Sequence, residues 1–107
     1  GVSKALELLY AAGNVKAEEG LRIGLFNQVF EPEALIEETM KYAKKITTKG
    51  PIAINFAKQA VKVGYEMPLD KALGLESELF GLVFSTEDQT EGMTAFVEKR
   101  SAEFKNQ

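Results

Sequence analysis

The sequence predicts an all-α chain of about six helices with short connections, on three observations. Apolar residues recur at three- and four-residue spacing along successive stretches. The pairs Gly13-Asn14, Gly50-Pro51 and Met67-Pro68 fall at the joints between those stretches. The one run that reads as extended, Leu25 to Phe30, is too short to make a sheet of its own.

Gly1 to Ala12 carries Val2, Ala5, Leu6, Leu9 and Tyr10 at helical spacing and stops naturally at Gly13-Asn14. Lys16 to Ile23 reads as a second short helix, acidic in its first turn through Glu18 and Glu19 and ended by Gly24. Pro32 stands where proline favours a helix start. From there Leu35, Ile36, Thr39, Met40, Ala43 and Ile46 form an apolar stripe of about four turns, with lysines gathering at its end. Gly50-Pro51 closes that helix and opens the next, in which Phe56, Ala57, Ala60, Val61 and Gly64 share a face. Met67-Pro68 repeats the device, since the residue before proline disfavours the helical region. Leu69, Ala72, Leu73, Glu76, Phe80, Val83 and Phe84 mark the fifth helix. Ser85-Thr86 supplies an N-cap, with Gln89 at the capping-box position, for a last helix carrying Met93, Phe96 and Val97. That helix fades into a polar tail ending Lys105-Asn106-Gln107.

Several of these helices are apolar around more than the usual third of their circumference, through Leu8-Leu9-Tyr10 and through Leu79-Phe80 with Leu82-Val83-Phe84. Such a helix normally has protein on two sides. The expectation is exposed apolar surface at both places, and a homo-oligomer, dimer or trimer, that covers it.

Composition narrows the function. The 107 residues suit one domain with a modest core, and neither an apolar membrane-spanning run nor a signal segment is present. A charge of −3, with basic residues spread along the chain, argues against nucleic acid, which needs a concentrated basic surface. Cysteine and histidine are both absent, which excludes disulfides, thiolate chemistry, Ser-His or Cys-His nucleophiles and a His/Cys zinc site. Catalysis would have to rest on carboxylates, lysines, tyrosines or backbone amides.

The most informative stretch is Phe84-x-Thr86-x-Asp88-x-x-Glu91-Gly92-x-x-Ala95-Phe96-x-Glu98-Lys99-Arg100-x-x-x-Phe104. Physically it is a capped helix with acids in its first turn and bases in its last, as the helix dipole prefers. Its letters also resemble the C-terminal signature of enoyl-CoA hydratases, members of the crotonase family. Four further segments resemble that family in order: Gly1-x-x-x-Ala5-x-Glu7-Leu8, Ala17-Glu18-Glu19-Gly20-x-x-x-Gly24-Leu25-x-Asn27-x-Val29, Pro51-x-Ala53-x-x-x-Ala57-Lys58 and Glu76-x-Glu78-Leu79-Phe80. The second is similar to a family pattern Ala-x-x-Ala-x-x-x-Gly-Leu-Val-Asn. The chain departs from the family at Gly20, where alanine is usual, at Lys16 and at Ala102.

The resemblance implies that residues 1–107 are the helical C-terminal domain of an enoyl-CoA hydratase or 3-hydroxybutyryl-CoA dehydratase, a cytoplasmic lyase of fatty-acid metabolism. It implies acyl-CoA as the substrate of the whole enzyme, no cofactor, no metal and no membrane partner. The family's two catalytic glutamates and oxyanion-hole amides lie upstream of the matched segment. None of Glu7, Glu18, Glu19, Glu76, Glu78, Glu91 or Glu98 matches a catalytic position, so the fragment is expected to catalyse nothing itself. The start at Gly1, without methionine or cap, also reads as a fragment.

What the resemblance leaves to this chain is oligomerisation and part of a CoA site. Residues matching Phe80 and Lys99 hold the adenine and phosphate end of CoA, an aromatic face stacking on the base and an ammonium pairing with phosphate. Without the resemblance, Phe80 reads as a core residue and Lys99 as a solvated helix end. Arg100 is a second cation beside it. Another crotonase activity such as an isomerase, a free-standing acyl-CoA-binding module and a helical interaction domain remain the alternatives.

Overall fold

A computed structural model describes residues 1–107, all helix and connection with no strand. Six helices follow in order: α1 (Val2–Ala11), α2 (Ala17–Arg22), α3 (Leu35–Thr47), α4 (Pro51–Gly64), α5 (Leu69–Phe84) and α6 (Glu87–Glu98). The all-α reading with six helices is borne out. Two compact units, residues 1–39 and 40–107, divide the chain.

In the first unit, α1 ends earlier than Gly13-Asn14 suggests: Ala12 itself takes the left-handed conformation (φ 48°) that a glycine would adopt more cheaply. Lys4 joins α1 to α2, pairing with Glu7 at 2.7 Å and lying 3.7 Å from Glu19. The end of α2 is a Schellman turn, with Gly24 at φ 74°. The Leu25 N–H donates to the Gly20 carbonyl at 2.8 Å and the Gly24 N–H to that of Leu21 at 3.1 Å. The Phe26 N–H also donates to Gly20, at 3.2 Å, which carries the Phe26 ring onto Gly20. Residues 25–30 then run without helix or strand. Pro32 opens a turn rather than the helix itself, and α3 begins three residues later. The physical reason is a tight first turn, in which the Ala34 N–H reaches the Glu31 carbonyl three residues back.

In the second unit α4 and α5 pack against each other around a four-residue connection. Pro51 occupies the first turn of α4, where its missing N–H costs nothing. Gly64 allows close approach at the connection: a Cβ there would lie 3.4 Å from that of Ala72. Half of the expected capping box forms ahead of α6. The Thr86 hydroxyl accepts the Gln89 N–H at 3.1 Å, but the Thr86 N–H donates to Val83 at 3.1 Å, which leaves no reciprocal partner for Gln89.

Only Leu79 and Ala95 are buried apolar side chains. Accessible surface totals 9031 Å², against about 5,900 Å² for a typical folded chain of this mass. Leu9, Tyr10, Leu82 and Phe84 are exposed, as the apolar runs predict, and Leu8 and Val83 are half-buried. The exposure also takes in Phe96 and Val97 on α6. Apolar surface on that scale is more than a monomeric soluble protein ordinarily leaves uncovered.

Candidate functional site

The second unit places the two sequence-predicted binding residues on α5 and just past the end of α6. Phe80, in α5, is 63% exposed, so its reading as a core residue is overturned. Leu79, the preceding residue, faces inward instead, because consecutive helical positions lie about 100° apart. The inner side of Phe80 rests on Phe84, one turn on, with ring centroids 4.8 Å apart and planes tilted by 45°. Phe80 also edges an open apolar groove of about 300 Å³ between α4 and α5, where Phe56, Ala57 and Ala60 face Glu76, Leu79 and Val83. An exposed aromatic ring backed by a second ring is a surface on which a flat base can stack.

Lys99 lies just past the end of α6, in the left-handed conformation at φ 54°. For a residue with a Cβ this costs about 1–2 kcal/mol. The turn is again a Schellman motif: the Lys99 N–H donates to Phe96 at 3.3 Å and the Arg100 N–H to Ala95 at 3.0 Å. The Lys99 side chain is exposed, and it forms no ion pair and no cation–π contact with Phe80. Phe80 and Lys99 therefore do not touch; what they share is a free aromatic face and a free ammonium.

Arg100 is not free. Its guanidinium grips Glu91 through two hydrogen bonds of 2.6 and 2.8 Å, Glu98 through one of 2.6 Å, and the Ser101 carbonyl at 3.1 Å. With its donors so committed, Arg100 is spent on structure, and Lys99 is left as the phosphate candidate of the pair.

The tail, expected only to fade out, is instead tied along α6. Glu91 accepts the Glu103 N–H at 2.8 Å, and the buried Asp88 accepts the N–H groups of Lys105 and Asn106 at 2.6 and 2.9 Å. The Asp88 N–H returns a bond to the Gln107 carbonyl at 3.0 Å. Asn106, at φ 65°, turns two successive N–H groups toward one carboxylate, the arrangement of a backbone anion nest. Phe104 sits over Gly92, where a Cβ would lie 3.4 Å from the ring. It shares a groove of about 270 Å³ with Gly50, Ala53, Val83, Phe84 and Met93. The letters Asp88, Glu91, Gly92, Arg100 and Phe104 thus form one clamp. Their spacing is compatible with a plain capped helix, so nothing in the local pattern disclosed that the tail doubles back.

The electrostatics oppose acid–base catalysis by these carboxylates. The Arg100 hydrogen bonds, and then the Glu103 N–H, hold the Glu91 carboxyl down from 4.5 to about 2. Arg22 likewise holds Glu19 below the ordinary value. A general acid at neutral pH needs the opposite shift. No three carboxylates gather to hold a metal ion, and no helix is long and apolar enough to cross a membrane.

Glu91 does give the clamp a pH dependence. The folded carboxyl binds its proton less tightly than the unfolded one, so its contribution to stability is complete above about 4.5 and fades as the pH falls toward 2. The gap in thermal midpoint between the native chain and Glu91→Gln is expected to narrow across that window. A gap that stays constant from pH 6 to about pH 2 would contradict this linkage.

Comparison with known proteins follows the same residues. The sequence profile described as enoyl-CoA hydratase/isomerase matches residues 1–107. A short-chain-enoyl-CoA hydratase of Clostridium acetobutylicum is 49% identical over 107 residues, covering 99% of this chain and 41% of that protein. A crotonyl-CoA hydratase of Syntrophomonas wolfei is 46% identical over 104 residues, covering 97% of this chain and 40% of that protein. Among solved structures, an enoyl-CoA hydratase of Bacillus anthracis superposes with a TM-score of 0.94 at 35% identity, over 97% of this chain and 40% of that one. One from Geobacillus kaustophilus gives 0.92 at 38% identity, over 98% and 40%. The chain thus spans about two-fifths of the length of these relatives.

Proposed function

The chain belongs to the enoyl-CoA hydratase/isomerase family, and from that premise we propose that it serves a hydratase of short 2-enoyl-CoA thioesters as its helical, CoA-contacting portion. The observation that carries this reading is the match over the whole chain, at 49% and 46% identity, to proteins named for short-chain-enoyl-CoA and crotonyl-CoA hydration. The reaction adds water across the 2,3 double bond, or removes it from the 3-hydroxyacyl thioester. It needs groups to handle water and proton, and donors for the charge that develops on the thioester oxygen. Glu19, Glu91 and Glu98 are committed to ion pairs and the buried Asp88 to the backbone of the tail. Glu19 and Glu91 are shifted away from a general acid, so in this reading catalysis falls to the rest of the enzyme.

In this reading Phe80 stacks on the adenine of CoA and Lys99 pairs with its phosphates. The exposed face of Phe80 and the unpaired ammonium of Lys99 support those roles. The exposed apolar faces of α1, α5 and α6 pack against the remainder of the enzyme and its other copies, in a homo-oligomer that works in the cytoplasm. No cofactor takes part.

Steady-state kinetics of the enzyme carrying this chain test the proposal, with crotonyl-CoA beside crotonyl-pantetheine, which keeps the thioester but lacks the nucleotide. Lys99→Gly removes the ammonium while suiting the left-handed turn better than lysine does. A tenfold higher KM corresponds to about 1.4 kcal/mol of lost binding. Lys99→Gly and Phe80→Ala are expected to raise KM for the CoA ester by about that factor with kcat unchanged, the signature of lost uniform binding. Absence of hydration, or unchanged KM for both variants, would sink the reading.

A further inference from the structure

We propose that the tail, residues 101–107, is a strap that positions the CoA-binding residues, with Asp88, Glu91, Arg100 and Phe104 as positioning residues. The inference rests on the CoA reading of Phe80 and Lys99. It concerns what fixes them rather than what they touch.

Lys99 stands at the hinge between α6 and the strap. On one side its backbone is held by the turn bonds to Phe96 and Ala95. On the other, the very next residue is locked by the Arg100 fork on Glu91 and its third bond to Glu98. Glu91 also takes the Glu103 N–H, and Asp88 takes those of Lys105 and Asn106, so the strap is fastened at three successive points after the hinge. A lysine in the left-handed region has no conformational preference for staying there. These bonds hold it there, and with it the direction in which the flexible four-carbon stem leaves the backbone.

The same strap reaches Phe80 by a second route. Phe104 lies in the groove that Phe84 also lines, and the Phe84 ring backs the Phe80 ring at 4.8 Å. Removing the Phe104 ring takes away one wall of the groove that Phe84 lines, and gives the ring that backs Phe80 room to turn into it. One peptide segment, touching neither base nor phosphate, thereby sets both residues assigned to the nucleotide end.

The enzyme carrying the chain is assayed with crotonyl-CoA and crotonyl-pantetheine for Arg100→Ala, Glu91→Gln, Phe104→Ala and Phe104→Leu. Arg100→Ala and Phe104→Ala are expected to raise KM for the CoA ester about three- to tenfold, with kcat and both constants for the pantetheine ester within about twofold of native. Glu91→Gln, which keeps its acceptor for the Glu103 N–H, gives a smaller rise in the same direction, and Phe104→Leu recovers most of the loss at Phe104. Equal losses with both esters would show a merely structural clamp and overturn the proposal. So would native KM values for the CoA ester in folded Arg100→Ala or Phe104→Ala enzymes, or in Glu91→Gln where those do not fold, when Lys99→Gly still discriminates the esters; the strap inference then falls alone. Should Lys99→Gly not discriminate them, the CoA reading falls and takes this inference with it.

Discussion

Replacing Asp88 by alanine is expected to release the last residues of the strap while leaving α6 helical. The carboxylate is 6% exposed and accepts two backbone N–H groups, from Lys105 and Asn106. Hydrogen bonds to an ionised acceptor contribute about 1.5–3 kcal/mol each when the partner would otherwise be stranded. Here the strap has an alternative, because it can lift into water and satisfy its amides there. The loss is therefore capped by the docking free energy of residues 101–107, and we expect about 2 kcal/mol, as for other single breaks in a bonded network. The acid in the first turn of α6 also goes, a further loss of about 0.3–1 kcal/mol that Glu87 partly offsets. Amide hydrogen exchange separates the two effects: Lys105 and Asn106 should exchange at near-coil rates, whereas the interior amides of α6 should speed up only as far as global stability falls. If the amides of Lys105 and Asn106 stay protected in Asp88→Ala, the carboxylate is not what fastens the strap.

The sequence discloses the helices far better than the clamp, and the reason is the range over which each is encoded. Helix α5 is written in its own apolar spacing, and its joints in Met67-Pro68 and in the Thr86 cap, all within a few residues of where they act. The Asp88 contact to Asn106 spans eighteen positions and joins a side chain to backbone N–H groups, which every residue but proline carries. No letter at 105 or 106 announces it, beyond an asparagine suited to the left-handed region. Arg100 was legible as a cation but not as a committed one, since Glu91 lies nine residues away, beyond the reach of helix-face pairing. Phe80 misled in the opposite sense. Phenylalanine is usually buried, yet here one turn of α5 directs Leu79 inward and leaves Phe80 out. Only the resemblance to the family singled it out.

Gly20→Ala is expected to destabilise the first unit, against the ordinary preference of a helix. Gly20 lies inside α2, where alanine would normally be better by about 1 kcal/mol. A Cβ at this glycine, however, would fall 2.4 and 2.5 Å from Cε2 and Cδ2 of Phe26, well inside contact distance. The Phe26 amide is bonded to the Gly20 carbonyl, so the ring has little room to slide along the helix and must swing away. Overpacking of this kind costs about 1–3 kcal/mol, which exceeds the propensity gain and sets the sign. The departure from the family pattern then has a physical reason. Where the pattern pairs alanine with the valine of Gly-Leu-Val-Asn, this chain pairs Gly20 with Phe26, and volume has moved from the helix to the residue that covers it. The sign should accordingly reverse in a Phe26→Val background, where adding the Gly20→Ala change is expected to stabilise by about 1 kcal/mol. The double-mutant coupling should reach about 2 kcal/mol, within the range for residues in direct contact. Urea midpoints of the four proteins measure it, and the ring-current shift of the Gly20 α-protons reports whether the Phe26 ring has left. A Gly20→Ala protein that is more stable than the native chain, with the ring still over α2, would refute the exchange of volume between the two positions.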